Sequence, residues 1–291
     1  MEAPAPPADD RLRGILLIVV AAVLFAGIDV FSKLLAPTQS VGQIVWARYT
    51  MALPLLLATT PPSRWPGMFR TARPLWQIVR GVIPMGTSVG MVLAVRHLPL
   101  AEATVILFTA PFLVVALSAA VLREQVAAAS WIAVFVGFAA VLLVARPGFS
   151  EFSEYLIFPL IGALFFALLQ LVTRLLRMRG EAAHTTLAWT LATGCVLATP
   201  FAIATWRPVS GEAWLLMAGL GLVFGGAQAL LVRAFAYAPA GVLTPFTYVQ
   251  IIAAVVMGMI VFGVIPDIWS LIGIVMIIAA GVTVARTRMP S

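Results

Sequence analysis

The sequence predicts an all-α integral membrane protein: ten transmembrane helices arranged as two five-helix inverted repeats. Three observations carry that reading: an extreme apolar composition, a series of span-length apolar runs, and an internal resemblance between the two halves. Of 291 residues, 62% are hydrophobic and only 10% charged, with a mean hydropathy of +1.07. Soluble domains carry about 45–50% apolar and about 25% charged residues. A chain this apolar cannot cover a water-facing surface, and disorder requires the opposite composition. Transmembrane barrels alternate apolar and polar residues, whereas the runs here are continuously apolar, so the spans are helices.

A helix needs about 20 apolar residues to cross a hydrocarbon core about 30 Å thick. The opening MEAPAPPADD is Pro/Ala-rich and reads as disordered. Arg11 and Arg13 then precede an apolar stretch in the manner of a secretory signal. The run continues through Asp29 without a convincing cleavage site and reads as a retained first helix. Segments near 14–36, 40–60 and 75–95 are the first three spans, interrupted by Asp29 and Lys33, by Arg48, and by Arg80. Charge-free runs at 103–122, 125–145, 155–173, 182–206 and 213–232 supply the next five. The stretch 234–266 contains Pro239 and Pro245 and reads as a loop followed by one helix near 241–263. The run 268–285 completes ten.

Orientation follows from the cations, 17 of 18 of which are Arg. A net charge of +7 suggests nucleic acid in a soluble protein, but these cations punctuate apolar runs instead of forming a patch. With the N-terminus inside, twelve fall on the cytoplasmic side and Lys33, Arg96, Arg146 and Arg207 on the other. That is a clear positive-inside bias, and it places both termini in the cytoplasm of a bacterial inner-membrane protein. Trp65, Trp76, Trp206, Trp214 and Trp269 fall near span ends, as interfacial anchors do.

The two halves, 1–147 and 151–288, meet in the loop around Pro147 and Gly148. GTSVGMVLAVRHLPLAEATVILFTAPF, from Gly86, is matched by GGAQALLVRAFAYAPAGVLTPFTYVQ, from Gly225. Each has a small-residue helix, an Arg, a linker with Pro (Pro99, Pro239), then a helix with Thr and Pro (Pro111, Pro245). Both halves end alike, in Trp131 to Arg146 and in Trp269 to Arg286. A repeated unit with an odd number of spans inserts its second copy upside down. Inverted repeats of this kind mark secondary transporters, with the substrate site near the midplane between them.

In these features the chain resembles the EamA-type carriers of the drug/metabolite transporter superfamily. The resemblance rests on HLPLAEATVILFTAPF, AYAPAGVLTPFTYVQ, the small residues after the third and eighth helices, and Glu124 at the end of the fourth. Arg123 stands where the family usually has Gly before that Glu. Within the family the pattern is similar to the YddG-type bacterial amino-acid exporters. The resemblance implies a ten-span carrier of small molecules, with no cofactor.

Intramembrane charges are functional candidates by default, because a charge at the bilayer centre costs about 2.5–3.5 kcal/mol on insertion scales. Asp29 and Lys33 stand at i, i+4, a spacing that stacks side chains on one face. They read either as a self-neutralised pair or as contacts for the two ends of a zwitterion. Arg48 reads either as a partner of Asp29 or as a contact for an anionic substrate group. Glu102, near the outer start of the fourth helix, is the other acidic candidate for coupling, and Arg80 is expected to snorkel to the cytoplasmic face. Gly86 with Gly90, and Gly221 with Gly225, permit close helix approach. Pro84, Pro111 and Pro245 are candidate hinges. The central lining is expected from Thr87, Ser88, Thr104, Phe108, Thr109, Gln228, Thr244, Thr247, Tyr248 and Gln250. Such a cavity, mostly apolar with a few donors and acceptors, suits a small, partly hydrophobic metabolite.

Competing classes lack parts. There is no G-x-x-x-x-G-K-[ST] loop for ATP. Cys195 is alone, and His97 and His184 are far apart, so a metal site or a catalytic triad has no constituents in sequence. An ion channel would call for rings of charge. The reading is a secondary transporter exporting amino acids or related metabolites, by facilitated diffusion or exchange, with no nucleic-acid partner and as a monomer or weak oligomer. A multidrug or other metabolite carrier of the same fold is the alternative.

Overall fold

The computed structural model describes residues 8–122, 128–145, 153–178, 183–238 and 240–287. Among these the chain is helical, as α1 (Ala8–Leu35), α2 (Val41–Thr50), α3 (Ala52–Thr59), the short α4 (Trp65–Met68), α5 (Pro74–His97), α6 (Leu100–Leu107) and α7 (Ala110–Leu122). There follow α8 (Ala128–Ala145), α9 (Ile157–Met178), α10 (Ala183–Ala204), α11 (Gly211–Tyr237), α12 (Ala240–Leu243), α13 (Val249–Phe262) and α14 (Ile268–Thr287). Glu124, Arg123, Pro239 and the Pro147–Gly148 joint lie outside the described residues. Eight stretches are long and apolar enough to cross a membrane, and two shorter apolar helices, Trp131–Val144 and Ile268–Thr283, fall on the remaining predicted runs. The protein is therefore a multi-pass membrane protein. Its outward surface carries large exposed apolar side chains, Leu75, Phe135, Leu215, Ile260 and Ile265 among them, as a lipid-facing surface should.

The structure breaks three expected spans. The second divides at Met51 into α2 and α3. Pro54 has no N–H to give the Thr50 carbonyl, and its ring crowds that carbonyl. The fourth divides at Phe108–Thr109 into α6 and α7, for the same reason at Pro111. The ninth opens as α12 and a 3-10 turn over Thr244–Tyr248, with Pro245 in its first turn, before α13 begins. Phe108 and Tyr248 each stand nine residues after the corresponding linker proline, Pro99 and Pro239. The interruptions of the two half-chains thus end within one residue of equivalent positions. Pro84, by contrast, sits inside an unbroken α5. The eighth span runs on through Arg233 to Tyr237.

The main helix pairings match between the half-chains. α1 packs on α11 as α9 packs on α5, and α1 packs on α13 as α9 packs on α6 and α7. α2 and α3 pack on α11 as α10 packs on α5, while α2 meets α10, α8 meets α14 and α6 meets α13. Exchanging the half-chains leaves this list unchanged. Glycines set the closest approaches. A Cβ on Gly90 would lie 2.7 Å from the Phe158 carbonyl oxygen, and one on Gly221 would overlap Met51 Cβ.

Two large apolar clusters result, beside a smaller one around Ile18, Ala234 and Leu243 where α1, α11 and α12 meet. One joins α5, α6, α7, α8, α9, α13 and α14 around Phe112, Ile106 and Ile277; the other joins α2, α10 and α11 around Ile44, Leu191 and Met217. α1 belongs to both, through Ala26 and Val30 to the first and through Ile28 and Leu35 to the second.

Candidate functional site

At one end of the bundle, connections between helices are tied by polar contacts. Arg96 donates to the Gln39 carbonyl at 2.7 Å, and Lys33 Nζ to the Leu98 carbonyl at 2.6 Å. Gln43 Nε2 donates to the Arg207 carbonyl at 2.9 Å and its Oε1 accepts from the Arg207 N–H at 3.0 Å. Trp46 meets Trp206 and Trp214 edge-on, at 5.7 and 6.4 Å between ring centroids. At the opposite end Arg80 does not snorkel. Its Nε donates to Thr173 Oγ1 at 2.9 Å and its NH1 group donates to Thr190 Oγ1 and the Thr186 carbonyl, bridging α5, α9 and α10. Hydroxyls close at hand in the bundle satisfy it better than a distant headgroup layer.

A polar cluster lies between these ends. Arg48, on α2, donates through NH1 to Ser88 Oγ on α5 at 3.0 Å and through NH2 to Ser32 Oγ on α1 at 3.1 Å. Ser32 itself donates to the Ile28 carbonyl at 2.7 Å, which turns its lone pairs toward the guanidinium. Tyr49 OH shares Ser88 Oγ at 3.1 Å. The Phe224 ring of α11 packs beneath the guanidinium, 5.9 Å to its centroid, and meets Tyr49 edge-on. Ser32 and Tyr49 are fully buried, and Arg48 and Asp29 nearly so.

The expected Asp29–Lys33 pair is absent. Lys33 turns to the Leu98 carbonyl, lies over the Phe262 ring at 5.3 Å, and is drawn electrostatically to Glu102. A carbonyl at 2.6 Å and an aromatic face near the helix end offer the ammonium more than a neighbour one turn deeper. The charge that Asp29 feels is that of Arg48. Glu102 is half-buried and lines a recess with Pro99, Gly258 and Asp267.

Of the expected lining residues, the structure gathers Ser88 with Arg48, and Phe108 with Tyr248, whose rings meet at 5.2 Å. Thr87 donates to the Gly162 carbonyl at 3.3 Å, joining α5 to α9. Thr104 and Thr109 are fully buried and donate to backbone carbonyls of α6, those of Leu100 and Ile106, at 2.9 and 2.7 Å. Gln228, Thr247 and Gln250 are half-buried, and Thr244 opens the 3-10 turn. Ser32, Tyr49 and Phe224 are the members that sequence reasoning missed. Tyr49 adjoins Arg48 and Ser32 stands three residues after Asp29, but their meeting joins separate helices.

A buried polar cluster on a lipid-embedded helical bundle belongs to the class of polytopic membrane transporters. The EamA-like transporter family model matches twice, over residues 12–146 and 153–286, and the chain belongs to that family. The chain is 27% identical over 277 residues to the pseudopaline exporter CntI of Pseudomonas aeruginosa, covering 94% of this chain and 96% of that one. It is 24% identical over 290 residues to a riboflavin transporter of Vibrio cholerae, covering 95% of each. It is 24% identical over 271 residues to an S-adenosylmethionine uptake transporter of Rickettsia felis, covering 92% and 91%. A solved crystal structure shares the fold with a TM-score of 0.65 at 17% identity, covering 93% of this chain and 95% of that one. The protein is an EamA-type carrier of the drug/metabolite transporter superfamily, a transporter rather than an enzyme.

Proposed function

We propose that the chain is a secondary transporter of the bacterial inner membrane that exports amino acids or related small metabolites by alternating access. Two five-helix halves, 1–147 and 151–288, are inverted with respect to one another and rock about the seam between them. The symmetric pattern of helix partners supports this, as does the odd number of spans in each half. Both termini face the cytoplasm, in keeping with the cation asymmetry. The observation that carries the reading is the cluster of Arg48, Ser32, Ser88 and Tyr49, built from three helices and buried between the two ends of the bundle. The interrupted fourth and ninth helices, with Phe108 against Tyr248, supply the flexible crossing, and Pro111 and Pro245 its hinges.

Transport is by facilitated diffusion or exchange, without a cofactor, and the carrier works as a monomer or weak oligomer. The uptake relatives favour one second reading, a carrier of another metabolite in the inward direction. Proteoliposomes loaded with a labelled amino-acid mixture test both points. Efflux stimulated by external unlabelled amino acids supports exchange. Accumulation against a gradient, driven by an imposed pH difference and abolished by an ionophore, would replace exchange with proton coupling.

A further inference from the structure

Asp29 and Arg48 are 5% and 6% exposed, and among the described residues no acid–base pair of side chains lies within ion-pair distance of either. Among the described residues the Asp29 carboxylate has no hydrogen-bond partner. Arg48 gives two terminal nitrogens to neutral hydroxyls and leaves Nε buried without a partner. The two charges act on one another without touching. They also share a depth. Asp29 is six residues from Leu35 at the end of α1 and Arg48 seven from Val41 at the start of α2. At 1.5 Å per residue, both lie about 10 Å inside the same end of the bundle.

From this geometry we infer that Asp29 and Arg48 form a two-point clamp for a zwitterion. The substrate carboxylate docks on the Arg48 guanidinium and its ammonium on the Asp29 carboxylate. The inference deepens the carrier reading and rests on it. Unpaired buried charges are costly, and in membrane segments they find partners or mark a substrate path. The chemistry of the missing partner follows by elimination. An anion alone satisfies Arg48 and strands Asp29, while a cation or a proton alone satisfies Asp29 and strands Arg48. A zwitterion satisfies both and adds no net charge to the bundle. Lys33 does not compete for the carboxylate, because its ammonium is held by the Leu98 carbonyl and the Phe262 ring. The Phe224 ring, in contact distance of both Arg48 and Tyr49, offers an apolar wall to a hydrophobic side chain.

The test uses the purified full-length protein. The twenty common L-amino acids are screened for binding by ligand-induced thermal stabilisation, and the best binder is compared with its des-amino and des-carboxy analogues. The clamp predicts that at least one amino acid binds and that each singly charged analogue binds at least about tenfold more weakly. It further predicts that Asp29→Asn lowers zwitterion affinity to that of the acid-only analogue while leaving the latter unchanged. Arg48→Gln should do the converse, with the amine-only analogue spared. Binding of either analogue as tightly as the parent amino acid overturns the clamp, and this comparison needs no variant to fold. So does wild-type affinity in both variants, or binding by none of the twenty. Proteoliposome transport of the same probes and of riboflavin separates this failure from that of the carrier reading. If riboflavin moves while zwitterions neither bind nor move, the clamp falls and the carrier stands; if no probe moves, the carrier reading falls with it.

Discussion

Ser88 of α5 is bonded to two side chains of α2, Arg48 and Tyr49, and removing its hydroxyl has a calculable cost. Ser88→Ala strands Arg48 NH1, now 3.0 Å from Ser88 Oγ, and Tyr49 OH, now 3.1 Å away, in a site where neither reaches water. Interhelical hydrogen bonds in membrane proteins average about 0.6 kcal/mol and reach about 1.7. Charge-assisted bonds are roughly twice as strong as neutral ones. The two losses together come to about 2 kcal/mol. Tyr49→Phe removes only the neutral bond, about 0.6 kcal/mol, and keeps the edge-on contact with Phe224 and the packing over Gly194. In the double variant the shared bond is lost once, so its cost falls short of the sum by about 0.6 kcal/mol. Equilibrium unfolding of the four proteins in SDS-containing mixed micelles measures the cycle. Strict additivity, within about 0.3 kcal/mol, would refute the Tyr49–Ser88 contact and the cluster built on it.

Other outcomes follow from the same geometry. Gly90→Ala should destabilise by about 1–3 kcal/mol, because the new methyl meets the Phe158 carbonyl and the Gly162 backbone, which cannot rotate away as a side chain can. Gly67→Ala, with open space around its Cβ, is the control and should unfold within about 0.5 kcal/mol of wild type. Arg48→Ala should lower transport at matched membrane levels while the protein still inserts and purifies; unchanged kinetics would reduce Arg48 to a packing residue. A C-terminal reporter active only in the cytoplasm is expected, and activity in the periplasm would invert the proposed topology.

The span positions were legible because hydropathy over about 20 residues is a one-dimensional property, and the described helices fall on the expected runs. The interruption at Pro111 and the late start of α13 were foreshadowed by their prolines. The break at Met51 was signalled as plainly by Pro54, yet the surrounding apolar run hid it. The site was legible only in part. Arg48 stands out because a charge inside an apolar run needs a reason, and Ser88 because it sits on the glycine-rich third span. Helical spacing put Asp29 beside Lys33, but spacing along one helix cannot show what a neighbouring helix offers. The Leu98 carbonyl, 65 positions away, captures the ammonium instead. Arg80 was misread for the same reason, since its hydroxyl partners are more than 90 positions distant. Thr104 and Thr109 point to a different difficulty: a threonine in an apolar helix can close its hydroxyl on its own backbone, which sequence alone does not distinguish from a lining residue.

Counterflow tests the central claim most directly. Purified protein is reconstituted into liposomes loaded with unlabelled L-amino acids at millimolar concentration, and a trace of the labelled mixture is added outside. An exchanging carrier predicts transient accumulation of label above the external concentration, absent from protein-free liposomes and from vesicles loaded with buffer alone. Label that enters at the same rate in all three preparations would contradict the account.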